Sequence, residues 1–411
     1  MVVMQMFSPL LTSYRVMNHE FQNCYDGITC EDGSTVAFFE RMNFLLVAVA
    51  KASINAVHLV RVSYSIMQHV VGPSLSMLKH SDTHSELTTL LIFTFLRLRQ
   101  SSQPVMTESL HYEPISNEAN VAILQVLHQA VEDLSLLAGV PESKAHILVI
   151  KETSIIAIYS GEGTPELKIA EILFLIIVAN AFAQSNASTR NSLIILESCV
   201  PYTVHIQRIE NGLNILVLIE AGLNGIANEI HSLLVSLTSS TSALDDIPKR
   251  ISKVQKMARK LNQLHWCDTL NNWRAGYEQN QSAVSALARQ VQFGYELICL
   301  SPALLFSAVE HVPGVIDRIL ASIPIGKLSQ PCLLAPILQL YPGLVHFVLL
   351  DRTHHRMISP TLALERKDST FDDMLQMFHT SLEWLNEGMY HLLWNDKQLC
   401  YSHTIWVEDH A

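Results

Sequence analysis

The stretch YPGLVHFVLLDRTHHRMISPTL, residues 341–362, indicates the type of fold. Its apolar run at 344–350 predicts a β-strand, the polar residues 351–355 predict a turn, and 356–359 predict a short return strand. Apolar residues then recur at helical spacing from Phe371 to Met389, and a second strand pair is predicted at 390–394 and 399–407. Two strands, a helix and further strands predict a small α/β module in which one helix crosses one sheet.

The same order of elements is complete in the middle of the chain. A hairpin is predicted at 147–150 and 155–159, followed by a helix that begins at Pro165 with Thr164 as its N-cap. Three strands follow at 192–197, 202–209 and 213–220, and apolar spacing then predicts a last helix at 223–237. The pattern is therefore ββαβββα.

The beginning of the chain carries part of this order. A helix is predicted over residues 3–21, followed by strands at 27–31, 35–40 and 43–50 and a helix at 54–71 that stops before Gly72-Pro73. We expect this first module to lack its leading hairpin, and the last one to end before its final strand and helix. The predicted organisation is a first module at 1–80, a helical connector at 81–142, a second module at 143–238, a helical linker region at 239–335, and a third module at 336–411.

Composition limits the classes of function. Hydrophobic residues make up 49% of the 411 residues and charged residues 16%, and the mean hydropathy is +0.23, so we expect a partner chain to cover part of the apolar surface. A net charge of −11 argues against nucleic-acid binding. The most apolar run, 172–183, is too short to cross a bilayer, and the N-terminus does not resemble a secretory signal. The seven cysteines are scattered along the chain, which is typical of reduced thiols in a cytosolic protein. We therefore predict a cytoplasmic protein.

Motifs for covalent chemistry are missing from the sequence. It has neither the glycine-rich phosphate loop that ends in Lys-Ser/Thr nor a Gly-x-Ser-x-Gly elbow. Gly161-Glu162-Gly163 is more simply a turn, and the adjacent His354 and His355 lack the cysteines or carboxylates of a metal site. We therefore predict no catalytic residues, no metal and no cofactor.

A ββαβββα module resembles the longin domain, and three such modules in one chain resemble the tri-longin proteins. The run at 342–353 (Pro-Gly-Leu-Val-His-Phe, then Asp-Arg-Thr), with Met357, Pro360 and Leu362 behind it, is similar to the Hermansky–Pudlak syndrome 1 protein family. Residues 392–393, 400–402 and Trp406 fit the same pattern. The related Mon and Fuzzy families share the modules. The fold class is accordingly α/β (α+β), with three longin-like modules linked by helical segments.

This resemblance implies a function without covalent catalysis. Members of the family form a heterodimer with the Hermansky–Pudlak syndrome 4 protein, which acts as a guanine nucleotide exchange factor for Rab GTPases in the biogenesis of lysosome-related organelles. It also implies peripheral recruitment to endosomal or lysosome-related membranes. The alternative is a non-catalytic trafficking scaffold or adaptor of the longin type, and the sequence leaves both open.

The candidate surface for a GTPase is the strand at 34–40 of the first module together with its flanking helix, and the residues singled out are Ser34, Phe38, Phe39 and Glu40. Phe38 and Phe39 point to opposite faces of the sheet because side chains alternate along a strand, so one ring faces away from the module's own helix. The alternative is that a second layer covers the other face and both rings belong to the core.

A basic stripe marks a second candidate surface. Lys249, Lys253, Lys256 and Lys260 recur at helical spacing, and no acidic residue occurs between 247 and 267. One interpretation is a solvated helix face. The other is contact with anionic lipid or with an acidic partner surface, which clustered lysines on an amphipathic helix would suit.

Overall fold

The computed structural model describes the chain in segments, and all structural statements below concern these segments. They are residues 2–21, 25–41, 44–51, 55–72, 75, 77–80, 82–137, 144–183, 189–196, 200–209, 212–220, 233, 247–260, 312–323, 348–351, 354–359, 378, 380, 391–395 and 400–404.

The first module is a three-stranded antiparallel sheet between two helices. Its elements are α1 (Val2–His19), β1 (Gly27–Thr29), β2 (Thr35–Arg41), β3 (Phe44–Ala50) and α2 (Ala56–Val71). The strand order is β1-β2-β3. The β1–β2 turn uses Gly33 at φ 79°, as the Asp32-Gly33 pair predicts, because glycine adopts positive φ without steric cost. All five elements agree with the sequence prediction.

A connector of helices and one short strand follows. It contains α3 (Met77–His80), α4 (Asp82–Ser101), α5 (Gln103–Thr107), β4 (Leu110–His111) and α6 (Asn117–Leu137). A helical connector was predicted for residues 81–142, and α4 and α6 fill most of it. The prediction was incomplete, because the segment between these two helices contains β4, which pairs in parallel with a strand in the last part of the chain.

The second module holds a complete five-stranded antiparallel sheet. Its elements are β5 (Ala145–Lys151), β6 (Ser154–Ser160), α7 (Ile169–Ala183), β7 (Thr189–Ile195), β8 (Pro201–Arg208) and β9 (Leu213–Glu220). The strand order is β6-β5-β9-β8-β7, so the leading hairpin lies beside the last strand. This confirms the ββαβββ part of the predicted order. The predicted helix at 223–237 lies outside the described residues.

The start of α7 differs from the sequence prediction. The helix begins at Ile169 rather than at Pro165, and Thr164 is not its N-cap. The backbone N–H of Lys168 donates to Glu171 Oε2 at 2.7 Å, and Ile172 N–H donates to the Lys168 carbonyl. This is the reciprocal half of a capping box, which fixes the helix start three residues before the glutamate.

Two hydrophobic cores enclose the second sheet. One face, with Leu148 and Leu216, packs against α7 and continues into α2 and α4. The other face, with Ile147 and Val217, packs against α6 and a later helix, which spans Val312–Ser322. Because both faces are covered, the adjacent strands β5 and β9 carry apolar residues at most positions and on both faces.

The remaining described elements belong to the linker region and the third module. They are α8 (Ile247–Lys260), α9 (Val312–Ser322), β10 (Leu349–Asp351), β11 (Arg356–Ile358), β12 (His391–Asn395) and β13 (Cys400–Thr404). The predicted hairpins of the third module are present as β10–β11 and β12–β13. The predicted helix at 371–389 lies outside the described residues except at positions 378 and 380, which are helical. Residues 261–311 of the predicted helical linker region also lie outside them.

Candidate functional site

The first candidate residue, Phe38, lies in an aromatic cluster beneath α1. Its ring stacks on Tyr14 with a centroid distance of 5.1 Å and an interplanar angle of 17°, and it meets Tyr25 edge-on at 5.5 Å. The side chain is 2% exposed. Phe38 therefore anchors α1 to the sheet, and a GTPase could contact its ring only if α1 moved away.

Phe39 lies on the opposite face of the sheet. Its ring is 5.1 Å from the ring of Tyr64 in α2, and the Arg41 guanidinium lies 5.9 Å from the Phe39 centroid. The side chain is half-buried. The first sheet thus has a helix on each face, which is the arrangement of the alternative interpretation of this phenylalanine pair.

The two polar candidates lie at the ends of the same strand. Both the backbone N–H and the hydroxyl of Ser34 donate to Asp32 Oδ1, at 2.9 and 2.6 Å, and these bonds lower the pKa of the Asp32 carboxyl. Glu40 is exposed and accepts a hydrogen bond from Asn18 Nδ2 at 3.2 Å. Contact of these four residues with a GTPase stays a prediction, and Glu40 is the one of them whose side chain is fully at the surface.

The neighbouring strand β3 was not singled out from the sequence. It reads Phe-Leu-Leu-Val-Ala-Val-Ala, yet none of its seven residues is buried, and Val49 is 55% exposed. Among the described residues it pairs with β2 alone. The signal that could have identified it is its continuous apolar sequence, with no charged residue from Phe44 to Ala50.

The basic stripe lies on helix α8, whose opposite, apolar side is buried. Ile251 and Val254 of α8 are fully buried, whereas Lys249, Lys253 and Lys256 are exposed. Lys260 is the last residue of the same helix. The arrangement presents a cationic face outward, and its contact with an anionic surface stays a prediction.

Several polar groups are buried within the second sheet. His146 is fully buried, and its Nδ1 lies 2.8 Å from Ser160 Oγ. Burial lowers the pKa of His146 to about 4 and raises the pKa of the Glu220 carboxyl. Within the described part of the chain, no group of three histidine, cysteine or acidic side chains is placed to hold a metal ion.

A buried histidine connects three parts of the molecule. His111 of β4 places Nδ1 2.9 Å from Ser154 Oγ of β6, and its Nε2 lies 3.2 Å from the Ser359 carbonyl behind β11. Burial lowers the pKa of His111, which favours the neutral ring. This junction connects the hairpin β10–β11 to the connector and the second sheet. It was not predicted from the sequence, because His111 and Ser359 are about 250 positions apart in the chain.

No described helix is both long and apolar enough to span a membrane.

Comparison with known families bears on the first module. Residues 1–97 match the family described as the first longin domain of FUZ, MON1 and HPS1. No curated protein matches the chain significantly. The matched segment contains α1, the three-stranded sheet and α2, and the second module has the ββαβββ order of elements that the longin resemblance implies. Residues 1–97 are therefore similar to the first longin domain of these proteins.

Proposed function

We propose that this chain is one subunit of a heterodimeric guanine nucleotide exchange factor for Rab GTPases, acting in vesicle-mediated transport and the biogenesis of lysosome-related organelles. The proposed partner is the Hermansky–Pudlak syndrome 4 protein. The observation that carries the proposal is the match of residues 1–97 to the first longin domain of FUZ, MON1 and HPS1. The sequence similarity at 342–362 favours the last of these three families.

Exchange of this kind requires no covalent catalyst. The nucleotide and its Mg²⁺ hold the switch segments of a GTPase in place. A protein that binds the switch-displaced form more tightly than the loaded form must weaken nucleotide affinity by the same factor, because binding free energies are linked. Sheet edges, apolar surface and a few polar contacts are sufficient for such a role.

The first module offers these features on one strand and its surroundings. Glu40 provides an exposed carboxylate at the end of β2, and Ser34 provides a half-buried hydroxyl at its start. Phe38 supports this surface from below by holding α1 in place. We therefore assign the contact with the GTPase to the β2 ends and the exposed side of α1.

A nucleotide-release assay tests the proposal. The full chain is combined with the Hermansky–Pudlak syndrome 4 protein and a Rab GTPase loaded with a fluorescent guanine nucleotide, and release is compared with the GTPase alone and with each subunit alone. We expect acceleration with the heterodimer only. An intact heterodimer that leaves the release rate unchanged across the Rab GTPases of lysosome-related organelles would contradict the proposal.

A charge variant tests where the contact lies. Glu40→Lys should slow the exchange reaction by several-fold, because reversal of a charge at an interface places like charges together. The matched control is Glu162→Lys, which reverses an equally exposed carboxylate in a turn of the second module. If both variants exchange at the wild-type rate, the β2 surface is not the contact.

The alternative function is a non-catalytic trafficking scaffold of the longin type. The observation that favours it is the burial of Phe38, which leaves one of the two candidate rings without access to a partner. In that case the heterodimer would bind its GTPase without accelerating nucleotide release. A pull-down with the loaded and nucleotide-free GTPase distinguishes the two functions, because an exchange factor prefers the nucleotide-free form.

We further propose that the protein is cytoplasmic and is recruited peripherally to endosomal or lysosome-related membranes through the basic face of α8. Lys249, Lys253 and Lys256 are exposed while Ile251 and Val254 of the same helix are buried, so these lysines can approach an anionic bilayer without displacing the helix from the core. Lys253→Glu with Lys256→Glu should weaken sedimentation with phosphatidylserine liposomes. The control reverses two exposed cations elsewhere, Lys51→Glu with Arg356→Glu, and equal loss in both variants would exclude a specific role for α8.

A further inference from the structure

Residues 108–113, between α5 and α6, contact all three modules, and we call them the junction segment. The Glu108 carboxylate forms an ion pair with His58 of α2, which belongs to the first module. The backbone N–H of Leu110 donates to the His355 carbonyl in the β10–β11 turn of the third module, at 2.7 Å. These contacts place the first module and the third-module hairpin on the same short piece of chain.

The end of the junction segment lies along the second sheet. Tyr112 forms a parallel bridge with Ile155 of β6, and the Glu113 N–H donates to the Ile155 carbonyl at 2.8 Å. The Glu113 carboxylate also accepts a hydrogen bond from Lys151 Nζ at 2.9 Å. Because β4 pairs with β11 just before these contacts, the junction segment lies between the third-module hairpin and the second sheet.

His111 lies in the middle of the junction segment, and its two ring nitrogens face its two sides. Nδ1 is 2.9 Å from Ser154 Oγ of β6, and Nε2 is 3.2 Å from the Ser359 carbonyl behind β11. A carbonyl oxygen can only accept, so Nε2 carries the ring hydrogen and Nδ1 accepts from the Ser154 hydroxyl. The neutral ring therefore satisfies both contacts with its single hydrogen.

Several elements around His111 carry titratable or charged side chains. The helix α7, which packs against β4, has Glu171 as its one charged residue. The others belong to the junction segment, to α2 and α4, to the end of β5 and the turn after it, and to the β10–β11 hairpin; they are Glu108, Glu113, His58, Arg99, Lys151, Glu152, Asp351, His354, His355 and Arg356.

A second proton on His111 would place a charge in a site that does not compensate it. The two carboxylates of the junction segment already have partners, since Glu113 pairs with Lys151 and Glu108 with His58. Burial is the largest cause acting on the pKa of His111 and lowers it, and the Ser359 hydrogen bond and the Glu113 carboxylate oppose this lowering only in part. A protonated ring is therefore more stable in water than in this site.

The third-module hairpin has the weaker attachment to the ring's two sides. Its pairing with β4 covers two residue pairs, and Met357 and Ser359 are buried while Ile358 is 49% exposed. The second sheet is held by longer ladders, such as the seven residue pairs of β5 with β9. Local opening begins where the fewest contacts must be broken. Separation of the hairpin is thus the easier way to bring the ring into water.

We propose that His111 is a proton-sensitive latch between the modules. Its neutral ring holds the β10–β11 hairpin against the second sheet, and uptake of one proton from solvent at Nδ1 releases the hairpin while the first and second sheets stay folded. This inference concerns the contacts between modules and does not depend on nucleotide exchange.

The direction of the pH dependence follows from the burial of the ring. The released ring has the ordinary pKa of 6.5, and the pKa of the docked ring is lower, so between these two values the released form binds a proton that the docked form does not. Docking should therefore weaken as the pH falls below 6.5. Because one proton is involved, the ratio of docked to released hairpin should fall by about tenfold between pH 7.5 and 5.5.

Hydrogen–deuterium exchange of the full chain measures this release. Protection factors at residues 354–359, corrected for the intrinsic rate at each pH, should decrease by about tenfold between pH 7.5 and 5.5. Residues 213–220 of β9 should remain strongly protected, and the circular dichroism spectrum should not change. Protection at 354–359 that is independent of pH in this range would overturn the proposal.

Substitution of the ring tests whether His111 is the group that responds. His111→Gln keeps an amide N–H that can donate to the Ser359 carbonyl, but it cannot be protonated in this range. We expect equal protection of 354–359 at pH 7.5 and 5.5 in this variant. The matched controls are His58→Gln and His355→Gln, which remove the two other histidines beside the junction segment and should decline as the wild type does.

A direct titration covers the case in which His111→Gln fails to dock the hairpin. Nuclear magnetic resonance of the wild-type chain with ¹³C-labelled histidine should show that the His111 ring titrates below 6.5. Ser154→Ala, which removes the hydroxyl that donates to Nδ1, should lower the protection of 354–359 several-fold at pH 7.5.

Three further results would overturn the proposal: a wild-type pH dependence in His111→Gln, a His111 ring that titrates at 6.5 or above, and unchanged protection in Ser154→Ala. The assays contain neither a GTPase nor the proposed partner, so their failure is distinguishable from failure of the exchange proposal.

Discussion

The first and second modules bury similar elements to very different extents. In α7, ten of the fifteen residues are buried, whereas Tyr14 is the one buried side chain among the described α1 positions 8–19. The difference extends to the sheets, which in the described residues have three strands in the first module and five in the second. Burial here is set by the number of neighbouring layers and strands, because the apolar content of β3 is as high as that of β9.

The comparison also separates two ways of attaching a helix to a sheet. The second module holds α7 with an aliphatic layer that includes Leu175 and Ile176, both fully buried. The first module holds α1 with three rings, Tyr14, Tyr25 and Phe38, whose centroids lie 5.1–5.6 Å apart. Aromatic pairs add favourable geometry to area burial, so a small contact can still fix a helix.

The largest expected effect comes from matched leucines in the two corresponding strands. Leu216 of β9 is fully buried on the α7 face, and Leu45 of β3 is partly exposed on the α1 face. Leu216→Ala should lower the free energy of unfolding by about 2–5 kcal/mol, since it removes contacts and leaves a cavity. Leu45→Ala should cost about 1 kcal/mol, since water can fill the space. Urea unfolding followed by circular dichroism measures both.

Equal losses of unfolding free energy for the two leucine variants would contradict the proposed difference between β3 and β9. That result would mean that β3 is as well enclosed as β9 in the isolated protein, with a further strand paired on the side away from β2. The Leu216 variant also serves as the reference for the effect of a fully buried leucine in this chain.

Local signals made the order of elements predictable. Each strand of the first and second modules lies within a few residues of its predicted position, because hairpins and short turns depend on neighbouring residues. The start of α7 was misplaced because Thr164-Pro165 carries an N-cap signal that competes with the Glu171 hydrogen bond to the Lys168 amide. Only the folded geometry decides between two such signals.

Nonlocal contacts account for what the sequence did not indicate. The two-residue strand β4 exists because it pairs with β11, about 250 positions further along the chain. Alternation predicted that Phe38 and Phe39 face opposite sides of the sheet, but it could not tell that each side carries a helix. In the described part of the chain β3 is exposed because it pairs with β2 alone, and a local sequence pattern does not report which strands lie beside it.

The second prediction uses a buried histidine that the second sheet contains and the described first sheet does not. Burial lowers the pKa of His146 to about 4, from an ordinary value of 6.5. Between these values the unfolded chain binds a proton that the folded chain does not bind. The free energy of unfolding should therefore fall as the pH decreases from 6.5 to 4, by roughly 3 kcal/mol for this group, and should be unaffected by it above pH 7.

Replacement of the histidine isolates its share of the acid sensitivity. His146→Leu should flatten the decline in stability between pH 6.5 and 4, measured by urea unfolding at a series of pH values. His19→Leu, which changes an exposed histidine at the end of α1, is the control and should leave the slope as it is. If His146→Leu retains the full slope, other buried histidines such as His111 and His205 carry the effect.

The smallest expected effect is a difference in amide exchange between β3 and β9, and it tests the comparison without any substitution. The amides of β9 point alternately to β8 and to β5, whereas among the described residues no strand lies beside the amides of β3 that point away from β2. Exchange reports local opening, so the outward amides of β3 should exchange at least about tenfold faster than those of β9, a difference of about 1.4 kcal/mol or more. Mass spectrometry of deuterated peptides that cover 44–50 and 213–220 provides the measurement. Slow exchange at every amide of 44–50 in the purified chain would show that a strand already pairs on both sides of β3. The two modules would then not differ in the pairing of this strand.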